Sequence, residues 1–254
     1  MQNLKPKKHL GQHFLTDENI AKKIVSLLDS APQEEVVEIG PGMGVLTKYL
    51  LENQSHVHAV EFDDEAITYL KEAFEGHALS VHPADVLKWN PAHHLNKPAR
   101  WIGNLPYNIS SPIMFHLLEH RQWVKKAVFM VQKEVADRLC ATPESPVKER
   151  GILTVLLDCY FVMKKEIKVP PTVFRPPPKV QSAVFSMVPR EGVQVDFPKL
   201  KKIVKAAFSQ RRKTLRNALK GVELNMESIP PSWMDKRAEE LTTADFVKLS
   251  EAVR

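Results

Sequence analysis

Apolar residues recur at helical spacing at Ile20, Ala21, Ile24, Leu27 and Leu28, behind Thr16, which suits a helix N-cap. A short apolar run at 36–39 then reads as a strand that ends in glycines. The alternation continues: helix at 44–53, strand at 57–61, helix at 64–75, strands at 79–82 and 101–103, helix at 111–119. Residues 126–131 read as a buried strand, followed by a helix near 133–140. Strands alternating with helices imply βαβ units and a mostly parallel sheet. Residues 142–150 form a polar, proline-bearing loop. Two alternating stretches, 161–168 and 181–188, flank a proline cluster at 170–178 and predict a hairpin added at a sheet edge. Beyond Pro189 the pattern turns helical at 197–208, 211–220, 233–241 and 243–253. The expectation is an α/β, Rossmann-like domain over 1–189 and a small all-helical domain over 190–254.

Composition adds a charge asymmetry. The chain has 254 residues, 43% of them hydrophobic, enough for one large core and a small second lobe. Residues 1–189 carry 22 basic and 21 acidic side chains; residues 190–254 carry 14 and 9. A basic C-terminal module points to a polyanion, most often nucleic acid or a membrane surface. Two cysteines, Cys140 and Cys159, exclude a disulfide scaffold and favour a reducing compartment. No apolar run reaches the roughly 18 residues of a membrane span. The basic start, residues 1–16, lacks the apolar stretch of a signal peptide. A soluble, cytoplasmic protein is expected.

The glycine turn Glu38-Ile-Gly40-Pro-Gly42-Met-Gly44 lies between a strand and a helix. Glycines there permit a sharp turn and close approach of backbone to ligand, beyond the carboxyl ends of the strands. A dinucleotide fingerprint needs a third glycine at position 45, which is Val45. The spacing instead resembles the first motif of S-adenosylmethionine methyltransferases. The next strand ends at Glu61, where a carboxylate can accept from two ribose hydroxyls. The third leads to Asp85, which can accept from an adenine amine. Each acid alone suits an ordinary loop; two of them closing successive strands after a glycine turn suit a nucleoside site.

Asn104-Leu105-Pro106-Tyr107 follows the fourth strand and resembles the motif of methyltransferases that modify an exocyclic nucleobase amine. An adenine N6 lone pair is delocalised into the ring and is a poor nucleophile. The Asn104 side-chain oxygen and the Leu105 carbonyl can accept from the N6 hydrogens. That localises the lone pair and steadies the developing charge. Pro106 stiffens the turn, and Tyr107 offers a stacking face to an extruded base.

Six runs occur in one order: Gly11-Gln-His-Phe-Leu15, the glycine turn, NLPYNIS (104–110), QKEVADRL (132–139), FRPPPKVQSA (174–183) and AFSQRRKTLRNAL (207–219). Together they resemble the bacterial KsgA family, ribosomal RNA adenine N6,N6-dimethyltransferases of class I fold. The resemblance implies dimethylation of two adjacent adenines in the 3′-terminal hairpin loop of small-subunit (16S) rRNA. It implies S-adenosylmethionine held by His13, Leu15, Gly40, Gly42, Glu61, Asp85 and Asn104. It implies Phe174 as a second aromatic face for the target base, and a small ribosomal subunit as partner of a monomer. Position 13 is His where the family often has Asn, which leaves a backbone or simple acceptor role there and excludes an amide-specific contact. Residues 151–155 read GILTV where GRLSV is usual, so no arginine role carries over to Ile152.

Two other readings share the fold: an Erm-type methyltransferase of large-subunit rRNA, and a non-catalytic RNA-binding assembly or transcription factor. The FxPxPKVxSA and FSQRRKTLRNAL runs separate the first, and the intact glycine turn and NLPY separate the second. The stretch 199–220 carries nine cationic residues and no acid, and Arg211, Arg212, Lys213 and Arg216 are the expected rRNA contacts. His116-Leu-Leu-Glu-His120 matches a zinc-peptidase pattern. It has no third ligand in view, so solvated helix histidines and no metal are expected.

Overall fold

A computed structural model describes residues 12–142, 144–145 and 150–254. Gly11, the basic start before it, and part of the 142–150 loop lie outside the described residues. The sheet strands are β2 (Glu35–Ile39), β3 (His56–Glu61), β4 (Leu79–Pro83), β5 (Ala99–Asn104), β6 (Val124–Gln132), β7 (Phe161–Val169) and β9 (Ser182–Pro189). Their order is β4-β3-β2-β5-β6-β9-β7. The pairs from β4 through β6 are parallel, and β9 runs antiparallel to β6. The added hairpin therefore lies at the sheet edge as expected, with its second strand inserted next to β6. A separate two-stranded ladder joins β1 (Phe14–Leu15) to β8 (Phe174–Arg175), with Leu15 opposite Phe174. Helices α1 (Glu18–Leu28), α2 (Val45–Glu52), α3 (Asp64–Ala73), α4 (Ser110–Glu119) and α5 (Lys133–Leu139) alternate with the strands up to β6 and just beyond it.

The chain resolves into two compact units, 1–136 with 164–189, and 137–163 with 190–254. One division falls between 189 and 190, and residues 137–163 group with the C-terminal segment. The cause is α6 (Ile152–Tyr160), which packs on α7 (Phe197–Phe208) and α9 (Thr243–Glu251). The sequence pattern does not announce α6, because its apolar residues go nearly all the way round: Val155, Leu156, Leu157, Cys159 and Tyr160 are all buried. A short, nearly all-apolar run of this kind cannot be told from a buried strand by periodicity.

In the first unit, α1 buries Ala21, Ile24, Val25 and Leu28. Its N-cap is Asp17, not Thr16: the Asp17 carboxylate accepts from Ile20 N–H at 2.9 Å. Thr16 instead bonds Val173, continuing the β1–β8 ladder through its N–H (2.8 Å) and hydroxyl (3.0 Å). Between β2 and β5, Gly103 lets the strands close; a Cβ there would lie 2.6 Å from the Ile39 carbonyl oxygen. At the start of β2 and β3, Glu35 stands opposite His56. His58 and His82 are pushed down to about 4, by burial first and by neighbouring imidazoles second, so both rings are uncharged near neutral pH.

In the second unit two expected helices are shortened. Residues 211–220 hold only α8 (Leu215–Ala218), and 233–241 hold two 3-10 turns, Pro231–Asp235 and Ala238–Glu240. The reason is tertiary. Thr214 and Arg237 pair as an isolated bridge, and Leu215 N–H donates to the Lys236 carbonyl at 2.8 Å. Thr214, Lys236 and Arg237 are extended to make these bonds, which a continuous helix would forbid. Among the described residues, no helix is long and apolar enough to cross a membrane.

Candidate active site

β2 pairs with β3 on one side and β5 on the other, so the sheet order reverses between β2 and β5. Open α/β sheets bind ligands beyond the strand ends at such a point. A cavity of about 290 Å³ lies there. It is lined by His13 and Leu15 before α1, by the glycine turn, by Glu61 and Phe62, by Asp85, and by 104–107. Ten of the residues expected at the site from sequence thus share one cavity; Phe174 does not.

Gly40, Gly42 and Gly44 take φ of +62°, +55° and +72°, the left-handed region. Space is a second constraint at two of them. A Cβ on Gly42 would lie 2.9 Å from the Phe14 ring, and one on Gly44 would lie 2.5 Å from the Phe74 ring. The turn passes into α2, which Gly44 caps.

Glu61 is 7% exposed and already committed. Its Oε2 accepts from Gly42 N–H at 3.1 Å, and its Oε1 accepts from Phe62 and Asp63 N–H at 2.8 and 2.9 Å. The carboxylate ties the glycine turn to the turn after β3. Two oxygens offer about four acceptor positions, so one remains beyond these three bonds. Asp85 Oδ1 accepts from Leu87 N–H at 3.0 Å.

Asn104 Nδ2 donates to the His13 backbone carbonyl at 2.8 Å. That bond takes one of the two amide N–H donors and fixes the side chain, and Oδ1 is its acceptor end. It also explains how His suits position 13: the contact uses backbone. The His13 ring is held separately, with Nδ1–H donating to the Pro176 carbonyl at 2.8 Å. It stacks on Tyr107 at 5.4 Å between centroids and 29° between planes. Tyr107 is fixed at its far end by a 2.6 Å bond to Ser182 Oγ, and burial pushes its phenol upward.

Phe174 requires a correction. It is 2% exposed and packs in the core with Leu15, Ile24 and Leu28, because its ladder with β1 turns it inward. It offers no face to a base; the ring beside Tyr107 is His13. Phe62, which no sequence motif marks, belongs to the site as well. It is 65% exposed beside Glu61 and lines the cavity. An apolar residue directly after the strand-ending acid was the available signal.

His116 is not solvated either. It is 9% exposed, and its Nε2 donates to the Trp89 carbonyl at 3.0 Å. The zinc-peptidase spacing is therefore a core histidine with its ring nitrogen engaged.

Glu38 lies 1% exposed at the cavity floor. Burial pushes it up from the usual 4.5 to about 8, against the Thr47 hydroxyl, which donates to Oε2 at 2.6 Å, and with the Glu61 charge adding to the rise. It is largely protonated at neutral pH. An acid with a raised folded-state value holds its proton more tightly than the unfolded chain does. Its stabilisation is full below 4.5 and is lost as pH rises through about 8. Glu38→Gln is expected to remove that fall. Urea midpoints at about pH 5 and about pH 9 should differ less in the variant than in the wild type, and an unchanged difference refutes the assignment.

A sequence model of the family described as ribosomal RNA adenine dimethylase matches residues 3–253. The ribosomal RNA small subunit methyltransferase A of Cytophaga hutchinsonii is 44% identical, over 98% of this chain and 98% of that protein. That of Aromatoleum aromaticum is 42% identical, over 100% and 96%. A crystal structure of a dimethyladenosine transferase from Plasmodium falciparum superposes with a TM-score of 0.80 at 29% identity, over 93% and 96%. The 23S rRNA methyltransferase ErmE superposes at 0.76 over 94% and 99%, at 24% identity, a likeness of fold.

Proposed function

The chain belongs to the ribosomal RNA adenine dimethylase family, and from that premise we propose that it dimethylates N6 of two adjacent adenosines in the 3′-terminal hairpin loop of small-subunit (16S) rRNA. The enzyme is a class I methyltransferase, and S-adenosylmethionine is its methyl donor. The observation that carries the reading is Asn104, which lines the cavity and is fixed by a bond from Nδ2 to the His13 carbonyl, with Oδ1 as its acceptor.

The residues fit that donor. Left-handed glycines bring backbone close, and Glu61 keeps one acceptor position for ribose while holding the turn. Asp85 suits the adenine amine, and the Phe62 ring suits a purine face. Bound there, S-adenosylmethionine supplies a methyl group already activated on a sulfonium. Asn104 Oδ1 and the Leu105 carbonyl accept from the N6 hydrogens of a target adenine, which restores lone-pair density to nitrogen. Pro106 keeps that carbonyl in place. The target leaves its helix to reach the site, and Tyr107, braced by Ser182 and His13, packs on its face. No strong base is required, since the N6 proton can leave to water.

The relatives at 42–44% identity carry a small-subunit name, whereas likeness to the large-subunit enzyme is one of fold. That favours the small subunit as substrate. The direct test incubates unmethylated small subunits with labelled methyl donor and maps the products. Two adjacent dimethyladenosines in the 3′-terminal hairpin are expected; label in large-subunit rRNA, or none, refutes the proposal.

The docking surface is proposed within 190–254, the protein acting as a cytoplasmic monomer away from membranes. Arg211, Arg212, Lys213 and Arg216 are the proposed rRNA contacts; the first two and Arg216 are exposed, as is Lys213. Arg211 donates to the Arg150 carbonyl at 3.1 Å, and Arg216 pairs with Asp235 at 2.9 Å. Arg212 and Lys213 are therefore the readier phosphate partners. Replacing Arg211, Arg212 and Lys213 with Ala should weaken subunit binding and flatten its salt dependence, by roughly 0.7–0.9 in log–log slope for each phosphate no longer neutralised. Affinity for S-adenosylmethionine should stay at the wild-type value. Normal binding across a salt series would exclude this surface.

A further inference from the structure

Glu35, His56 and His58 bring three ligating groups together at the N-terminal ends of β2 and β3, the end of the sheet opposite the cavity. One oxygen or nitrogen from each lies within 4.8 Å of the other two. The register explains the convergence. Glu35 stands directly across from His56, and His56 and His58, two apart on β3, point to the same face.

Two atoms of this cluster lack an ordinary explanation. Glu35 Oε2 and His58 Nε2 are buried and neither has a hydrogen-bond partner. They face one another at 3.8 Å, too far for a hydrogen bond. Buried polar atoms left in this way cost free energy unless something satisfies them. A cation between them would serve both.

The outer contacts are of the kind metal ligands use. His58 Nδ1 meets His82 Nε2 at 3.1 Å, which fixes the ring and leaves Nε2 turned toward Glu35. His56 Nε2 meets Ser80 Oγ at 3.3 Å. Behind His82, the His94 ring lies flat on Trp89, with centroids 5.0 Å apart and planes 4° apart, so the second layer is packed.

We propose that Glu35, His56 and His58 form a binding site for a divalent transition-metal ion of the zinc class. Two imidazoles and one carboxylate are a donor set for that class, and they disfavour magnesium and calcium, which prefer all-oxygen shells. Bonds of about 2.0–2.1 Å set tetrahedral ligands about 3.4 Å apart, so modest side-chain rotations close the set. Glu35 and His56 are half-buried and His58 is buried. The ion would clamp β2 to β3 at the end of the sheet away from the methyl-transfer chemistry, so its role is structural.

The test uses the full chain without a histidine tag, stripped of metal. Zinc is titrated against a chromophoric chelator, and cobalt(II) is added in parallel to read coordination from its visible bands. One equivalent of zinc should bind with Kd of roughly micromolar or tighter, and zinc should raise Tm. His56→Ala and Glu35→Gln, both at half-buried positions, should each weaken binding at least about tenfold and abolish the Tm shift. His93→Ala should behave as wild type. Circular dichroism of the metal-free variants separates loss of ligation from loss of fold. The proposal is overturned by no saturable binding, by binding indifferent to both substitutions, or by binding abolished only in a Cys140→Ser, Cys159→Ser variant.

Discussion

Asn104→Ala should slow methyl transfer by on the order of 10²-fold or more, the scale on which a preorganised polar contact to developing charge counts. In the proposed reaction the side chain has two jobs at opposite ends of one amide. Nδ2 holds the His13 carbonyl, and Oδ1 remains for the N6 hydrogens. Alanine loses both. The His13 backbone also lines the cavity, so donor affinity should fall as well, but by less than the rate. Single-turnover methylation at saturating donor isolates the chemical step, and calorimetry measures the donor. A variant that transfers methyl at the wild-type rate once saturated would reduce Asn104 to a brace for the residues before α1.

Glu61→Ala should lower affinity for S-adenosylmethionine by about 1.5–3 kcal/mol, the range for hydrogen bonds to a charged group. The upper part of that range is expected. Three backbone N–H groups lose their acceptor at once, and the glycine turn loses its tie to β3. Glu61→Gln separates the two oxygens. An amide has one acceptor oxygen, and its NH2 would face an N–H donor, so this variant should bind nearly as poorly as the alanine. Calorimetric titration decides, and wild-type affinity in the glutamine variant would refute a role for the carboxylate.

Much of this was legible in the chain. The alternation of short apolar runs with amphipathic segments set the parallel sheet, because burial on both faces of a strand and on one face of a helix leaves different periods. The glycine turn, Glu61, Asp85 and the NLPY run could be assigned because each ends a strand. Parallel strands put all their carboxyl ends on one side, so those residues had to converge. Tertiary structure decided what local pattern does not encode. The β1–β8 ladder buried Phe174, to which the family resemblance had given a face for the base. The Thr214–Arg237 bridge cut two helical patterns short, since pairing holds their ends extended. The short α6, apolar but for Thr154 and Asp158, read as neither helix nor strand and joined the C-terminal unit through its packing. Glu61 became a scaffold only because the folded turns aim three N–H groups at it. The Glu35, His56 and His58 cluster was invisible for a related reason: its third member comes from a neighbouring strand, and lateral strand pairing is a property of the fold rather than of spacing along the chain.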